Sequence, residues 1–577
     1  MVIRFQDILR NRVEALNAAF QQAITEYSFK STYRGVFPIK VNQLREVVEE
    51  ILDAGAPFHY GLEAGSKPEL TAALALHKDP ESLIICNGYK DEDFVRLALL
   101  GVRLGKQVVM VVEKLEELSL ILCVSRQTQV RPLLGFRVKL QVKSSGKWAT
   151  SSGENAKFGL SAIDLIEACE MLEAEGYGDS FKLMHFHVGS QIPDIQVVKR
   201  AVREAARYYA KLRKMGFPVA YFDIGGGLGI DYDGSRSATD SSTNYTMQEY
   251  CSDVVYNLGE VCDAEEVPHP TIISESGRAI VGHHSVLVVE AFAAAEKTKH
   301  TRPLPQPGGN HKIVEDILSL LTSMKKGSKR EALHDAQELR DTAESMFGLG
   351  LLDLKSKAHV DQIYWHVAER SVEFFEGAPR IPEEIKELAQ TLGDQYICNF
   401  SVFQSLLDHW AVGQIFPIAP LHRLDEEPTL EGTLVDITCD SDGKVAKFID
   451  NEGCRATLPL HRLDGSEYLI GFFLVGAYQD VMGDIHNLFG RVNEAHVFLD
   501  PDEDDGYYIE ETIEGRTVKD VLEEVQYNSH EIISEVKAHV DAAIKRDAIK
   551  PNEGMRLLEE YERVLKGHTY LKVTQPV

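Results

Sequence analysis

The chain has 577 residues, of which 44% are hydrophobic and 26% charged, an ordinary globular composition that excludes wholesale disorder and is long enough for two or three cores. Its 61 Lys+Arg stand against 89 Asp+Glu, a formal charge of -28 that leaves no basic footprint for nucleic acid or anionic membrane but would welcome a cationic small molecule. Eight scattered cysteines without a C-x-x-C pair, a charge-interrupted start (MVIRFQDILRNRVEAL) and no apolar run of roughly 20 residues predict reduced thiols, no secretory leader, no membrane span and a cytoplasmic setting.

Along the chain, eight strand-like runs alternate with amphipathic helical stretches. They are YRGVFPIK (33–40), FHYGLEA (58–64), SLIICNG (82–88), QVVMVVE (107–113), LLGFRVKL (133–140), FKLMHFHV (181–188), VAYFDIGG (219–226) and TIISESGRA (271–279). Between them lie helical patterns such as LREVVEEILDAG and IDLIEACEMLEAEGYG. Eight strands and their helices over about 250 residues match the count and size of a (β/α)8 barrel, with an open doubly wound sheet as the competing reading. The Pro- and Gly-rich TRPLPQPGGNHK (301–312) marks a boundary, so residues 1–300 are expected to form the barrel. Helical periodicity over 301–395 predicts a helical insertion, strands and turns over 396–515 a β-domain, and 516–577 a C-terminal helical region. The acidic run Asp500, Asp502, Asp504 and Glu511 spaces carboxylates somewhat like a calcium loop, but Asp505 stands where that loop needs Gly, so a solvated hairpin turn is expected.

Functional groups of such a barrel collect at the C-terminal strand ends, with phosphate sites favoured after the last two strands. Lys40 ends the first run, and Phe37, Pro38, Ile39 and Val41 are expected to desolvate its amine and lower its pKa toward the free base that Schiff-base chemistry requires. The sixth run ends in His185-Phe186-His187 and continues to Ser190. Two imidazoles on one strand face could bind a metal, but no third ligand is evident, and a His187 ring stacked on an aromatic cofactor with Ser190 near its phosphate is the better use. After the seventh run, Gly225, Gly226, Gly227 and Gly229 let backbone N–H groups surround a phosphate. The eighth ends in Glu275-Ser276-Gly277-Arg278, where Arg278 can clamp a phosphate, Gly277 permits close approach, and Glu275 can keep a pyridine nitrogen protonated. Cys439, in CDSDG, and Tyr478, in VGAYQDVMG, read singly as core residues.

Together these segments resemble the biosynthetic arginine decarboxylases, pyridoxal-phosphate (PLP) enzymes of the alanine racemase and ornithine decarboxylase fold. The resemblance runs in order through RFQDIL, YRGVFPIKVNQ, GLEAGSK, CNGYKD, HFHVGSQI, FDIGGGLGIDYDG, ISESGRA, NFSVFQS, DITCDSDG and GFFLVGAYQDVMGDIHNLFG, nearly the whole chain. It implies Lys40 as the Schiff-base lysine and His187 against the pyridine ring. Ser190, Gly225, Gly226, Gly227, Gly277, Arg278 and Tyr478 would hold the phosphate, and Glu275 the ring nitrogen. Phe222, Asp223, Gly229, Asp231 and Tyr232 would belong to a substrate-binding stretch, Cys439 would protonate the α-carbon, and Asp440 or Asp442 would meet the guanidinium. The implied reaction turns L-arginine into agmatine and CO2, the first step toward putrescine and spermidine. Homodimers sharing active sites, with Cys439 given by the partner, tetramers, and magnesium as a companion ion are implied as well. Ser276, where ornithine decarboxylases carry Pro, and Phe400, near which they carry Asp, favour the arginine branch. The family's longer N-terminal segment joins the β-domain, so a chain starting almost at RFQDIL is expected to lack a strand there. The rival readings are a decarboxylase of ornithine, lysine or diaminopimelate, and a non-catalytic relative that binds a regulator. The joint presence of Lys40 and Cys439 speaks against the second, and the length speaks against a small PLP carrier.

Overall fold

The computed structural model describes residues 1–142, 156–295, 303–324, 329–375, 381–450 and 453–572. The expected boundary at 300/301 and residues 451–452 of the expected β-domain lie outside them. The chain divides into two compact units. The first comprises Met1–Val288, Val402–Ile418 and Gly471–Thr569, and the second Val289–Ser401, Ala419–Ile470 and Tyr570–Val577. The stretch 396–515 therefore contributes to both units.

In the first unit, β1 (Val2–Phe5) and a helix over Gln6–Glu26 precede eight parallel strands. These are β2 (Tyr33–Pro38), β3 (Gly61–Ala64), β4 (Leu83–Cys86), β5 (Gln107–Val112), β6 (Leu133–Arg137), β7 (Phe181–His185), β8 (Tyr221–Asp223) and β9 (Thr271–Ser274), paired in chain order. β2 also pairs with β9, Tyr33 opposite Ile272 and Gly35 opposite Ser274, which closes the barrel and rules out the open sheet. The reason lies in the sequences themselves. In β5, Val109 and Val111 pack inside the barrel with Val36, Leu83, Ile85, Leu183 and Ile273, while Val108, Met110 and Val112 join the core shared with the helices. A strand covered on both faces needs an almost uninterrupted apolar run, and QVVMVV supplies one.

The helix over Ile195–Lys214 shows how the outer layer is specified. The Asp194 side chain caps it by accepting from the Gln196 N–H, and Lys211, Arg213 and Lys214 sit in its last turn, where the helix dipole favours cations. Val197, Val198, Ala201, Val202, Ala205 and Tyr209 form its buried stripe, each fully buried valine contributing roughly 1.5–3 kcal/mol. A Val202→Asp change would place an unpaired charge in that seam.

β1 does more than start the chain. It pairs antiparallel with the strand over Ser285–Ala295 and parallel with that over Glu494–Leu499, which turns back antiparallel into Tyr507–Ile513. Asp500, Asp502 and Asp504 lie in that turn, where the Asp500 N–H donates to Gly506 O, and Glu511 lies in the returning strand, so the hairpin expectation holds. Helices over Val518–Glu524, Ser529–Lys545 and Pro551–Leu565 follow. No helix among the described residues is long and apolar enough to cross a membrane.

The second unit joins a bundle to a sheet. Helices over Lys312–Ser323, Lys329–Gly348, Leu354–Phe375 and Glu383–Leu392 share a core that includes Ile313, Val314, Ile317, Val360, Ile363 and Val367. The strand over Asp394–Cys398 pairs antiparallel with Ala291–Ala295 and parallel with the strand over Leu430–Val435.

Candidate active site

Each barrel strand brings one polar side chain to its C-terminal end: Lys40 after β2, Glu63 in β3, Asn87 after β4, Glu113 after β5, Arg137 in β6, His185 in β7, Asp223 in β8 and Glu275 after β9. Most strands stop short of the apolar run that encodes them, because the chain turns at once to present these groups. Lys40, for example, sits in a single turn of 3₁₀ helix over Ile39–Val41.

Lys40 is half exposed, and its Nζ lies 2.9 Å from Glu63 Oε2. Burial pulls its pKa down, as the apolar flanks led one to expect. The Glu63 carboxylate bonded to the amine, with Glu275 and Tyr478 adding to it, outweighs that effect and raises it above the ordinary lysine value. The expected depression is thus reversed by Glu63, a neighbour on the adjacent strand. Glu275 is fully enclosed. Burial first, then Asp223 and Glu63, push its carboxyl well above the usual range, against the pull of Lys40 and an N–H bond from Asn87 Nδ2 at 2.7 Å. His185 Nδ1 lies 3.0 Å from Asp223 Oδ2 and 3.8 Å from Glu275 Oε1, deep in the barrel. His187 instead lines the cleft above. Burial, followed by Arg137, His185 and Lys40, holds it well below its ordinary pKa, and its Nδ1 accepts from the Gly189 N–H at 2.9 Å. The two imidazoles therefore do not form a metal pair.

One cleft is lined by Lys40, His187, Ser190, Gly226, Gly227, Glu275, Gly277, Arg278 and Tyr478. Gly225 and Gly227 have φ of +62° and +115°, and a Cβ on Gly225 would stand 2.5 Å from Phe186 O, so this turn must be glycine. A Cβ on Gly277 would meet Pro38 Cγ at 2.6 Å. Arg278 Nε donates to Ser190 Oγ (3.2 Å) and Nη1 to Tyr232 Oη (3.0 Å), with its guanidinium 4.8 Å from the Tyr478 ring centre. Tyr478 holds a left-handed φ of +72°, and its N–H donates to Val41 O. Non-glycine residues so held commonly mark ligand clamps.

This donor set fits a pyridine ring bearing a phosphate: an amine, a buried acid, a neutral imidazole and an Arg-Ser-Gly cradle share one cleft. Buried Glu63 Oε1 and Asn87 Oδ1 lack hydrogen-bond partners, polar capacity left at the mouth. Magnesium fits poorly. Among the described residues, His185, Asp223 and Glu275 are the group close enough to hold a metal, and this buried set offers a nitrogen and two carboxylates where magnesium demands oxygens and retained waters.

Of the stretch Phe222–Tyr232, Phe222 faces outward, its ring 5.6 Å from Phe186 and 6.1 Å from Tyr209, because Asp223 takes the inward position beside it. Asp223 accepts from the Gly225 N–H and braces the turn. A Cβ on Gly229 would lie 2.6 Å from Thr243 Cγ2, and Asp231 accepts from Ser242 Oγ, so both order the loop behind the cleft.

In the second unit, Cys439, Asp440 and Asp442 are exposed on a turn after the strand over Leu430–Val435. Buried Asp436 accepts from Thr438 N–H and Oγ, its own N–H donates to Gly443 O, and Asp440 Oδ1 accepts from the Asp442 N–H.

Residues 12–282 match the pyridoxal-dependent decarboxylase, pyridoxal binding domain, residues 308–389 the arginine decarboxylase helical bundle domain, and residues 518–571 the arginine decarboxylase C-terminal helical extension. The biosynthetic arginine decarboxylase of Phocaeicola vulgatus is 46% identical over 574 residues, 99% of this chain and 91% of that protein. That of Deinococcus radiodurans is 45% identical, covering 99% and 87%. The crystal structure of the biosynthetic arginine decarboxylase SpeA from Campylobacter jejuni superposes with a TM-score of 0.87 at 31% identity, covering 100% of this chain and 92% of that one. With identity of this order along its whole length and a matching fold, the chain belongs to the biosynthetic arginine decarboxylases.

Proposed function

We propose that this chain uses PLP to decarboxylate L-arginine to agmatine, with the cofactor attached to Lys40. The observation that carries this assignment of roles is the meeting of Lys40, Glu275, His187 and Arg278 in one cleft. Bound there, the pyridine ring would accept the electron pair left behind when CO2 departs. Glu275 holds a proton at the ring nitrogen, and Asn87 fixes its carboxyl. The neutral imidazole of His187 packs against the ring without adding charge. Arg278, Ser190, Gly225, Gly226, Gly227, Gly277 and Tyr478 hold the phosphate. Glu63 balances the Lys40 ammonium until the amine is needed as a nucleophile. Cys439 transfers the proton from Sγ to the α-carbon and is reprotonated from solvent. Asp440 or Asp442 meets the guanidinium, while Asp223, Gly229, Asp231 and Tyr232 shape the substrate side and Phe222 backs them.

The exposure of Cys439, Asp440 and Asp442 supports a dimer in which Cys439 of the partner subunit completes each site, with tetramers as a further assembly. The four stretches bounded at 300, 395 and 515 would act as barrel, helical insertion, β-domain and C-terminal helices. Agmatine would feed putrescine and spermidine synthesis in the cytoplasm. The test uses carboxyl-labelled arginine, with ornithine and lysine as controls. The parent should release CO2 and form agmatine only with PLP, and Lys40→Ala should lose at least about 10³-fold in turnover, on the order expected for removal of a covalent nucleophile. Equal turnover by Lys40→Ala would overturn the assignment.

A further inference from the structure

The RFQDIL motif has no place in the cleft, yet its arginine is one of the most deeply buried cations in the molecule. Arg4, 0% exposed in β1, donates through Nη2 to Asp480 Oδ2 (2.7 Å), through Nε to Glu494 Oε2 (2.7 Å) and through Nη1 to Ser285 Oγ (2.9 Å). Three chain segments far apart in sequence are thereby fixed to one guanidinium fork. The Glu494 arm belongs to the sheet. Burial opposes its ionisation, but bonds from His496 and Arg4 hold its carboxyl down at about 2. The Asp480 arm is different, because Asp480 lies two residues beyond Tyr478.

The segment between Leu474 and Asp480 is held in an unusual shape. Leu474 and Tyr478 both have left-handed φ, +63° and +72°. Its inner side is tied down by Asn42 Nδ2 to Gly476 O (3.0 Å), the Gly476 N–H to Gly282 O and the Tyr478 N–H to Val41 O, while Gln479 bonds Asp408 in both directions. A left-handed tyrosine is strained and persists where surrounding contacts over-determine it. Asp480 is the charged anchor at the C-terminal end of that segment, and Arg4 is its buried counter-ion.

We infer that Arg4 is a positioning residue for cofactor retention: acting through Asp480, it holds Tyr478 in the left-handed conformation that keeps its ring against Arg278. This rests on the phosphate-binding role proposed above for Arg278 and Tyr478. Arg4 touches neither cofactor nor substrate, so its influence passes to the phosphate through two intervening residues. The other arm, to Glu494, serves β1 and its sheet.

The experiment measures equilibrium dissociation of PLP, and separately of pyridoxal, which lacks the phosphate, from the cofactor-free full chain. Parent, Asp480→Ala, Tyr478→Ala and the double variant are compared. The parent should bind PLP much more tightly than pyridoxal. Asp480→Ala should weaken PLP about tenfold, a 1.4 kcal/mol loss within the range of measured couplings between contacting residues, and leave pyridoxal within about twofold. In the Tyr478→Ala background the same change should have no further effect on PLP. Equal weakening of PLP and pyridoxal by Asp480→Ala, or full additivity with Tyr478→Ala, would overturn the inference, since a merely structural role moves both ligands and ignores Tyr478. A parent that binds the two ligands equally would instead overturn the phosphate-site reading beneath it. Arg4→Lys, which keeps the charge and loses the fork, carries the same comparison if Asp480→Ala does not fold.

Discussion

The barrel mouth and the turn over Asp436–Gly443 hold their chemical groups in opposite ways. At the mouth, eight strand ends bring polar side chains together, and each group's state is set by burial acting with or against its neighbours: burial, Asp223 and Glu63 at Glu275, burial overcome by Glu63 and Glu275 at Lys40, and burial, Arg137 and His185 at His187. On the turn, one buried residue, Asp436, carries the scaffold, and Cys439, Asp440 and Asp442 stand in solvent. The mouth is preorganised at the cost of electrostatic strain, whereas the turn carries its exposed groups on a scaffold braced by one buried aspartate.

Substitutions can break this contrast. The largest effect is expected from Cys439→Ala. Turnover should fall on the order of 10³-fold, as for loss of a positioned proton donor, while stability stays within about 0.5 kcal/mol because the side chain is exposed. A large drop in melting temperature would show that the thiol is structural. Next comes Glu275→Gln, with turnover lowered on the order of 10²-fold through loss of preorganised charge. The cofactor-free chain should at the same time melt higher. A carboxyl whose pKa is raised by folding costs stability as pH climbs from the ordinary carboxylate range toward the raised value, and the amide removes that cost at pH 7. An unchanged or lower melting temperature would mean that the mouth is not strained. Asp436→Ala should reverse the pattern of Cys439→Ala: about 1–3 kcal/mol of stability lost with the buried bonds to Thr438, and a turnover loss smaller than that of Cys439→Ala.

The barrel was legible because strands covered on both faces write long apolar runs, and so were Lys40, His187, Gly225–Gly227, Glu275 and Arg278, which stand where such runs end. Glu63, Asn87, Glu113 and Arg137 escaped notice, since one polar residue after one apolar run looks like any strand end. The signal lay in the set: each of the eight runs carries a polar residue at or shortly before its C-terminal end. Sequence neighbours foretold the desolvation of the Lys40 amine but not Glu63 across the strand pair, so the direction of its shift came out reversed. Phe222 and Asp223 could not both face the barrel, because strand residues alternate; choosing between them needed only the observation that the aspartate would not be buried outward without a partner.

The floor of the barrel tests the same contrast with the smallest effect. His77 follows the helix over Lys67–Leu76, is 2% exposed, and meets Ser82 Oγ through Nε2 at 2.5 Å. Burial, helped by Lys106, lowers its pKa to about 4, with only Asp79 and its own backbone pulling the other way. Here burial prevails, whereas at Lys40 the facing carboxylates prevail over it. A histidine whose folded pKa lies below its unfolded value of about 6.5 leaves the fold unaffected above that pH. Stability is lost as pH falls toward 4, because the unfolded chain takes up the proton first; the effect is on the order of 1–3 kcal/mol. The melting temperature should therefore decline from pH 6.5 to 4, and His77→Gln should flatten part of that decline without changing PLP binding at pH 7. The same slope in parent and variant would mean that His77 is protonated in the fold or solvated through local opening, and burial alone would then not set the state of groups in this barrel.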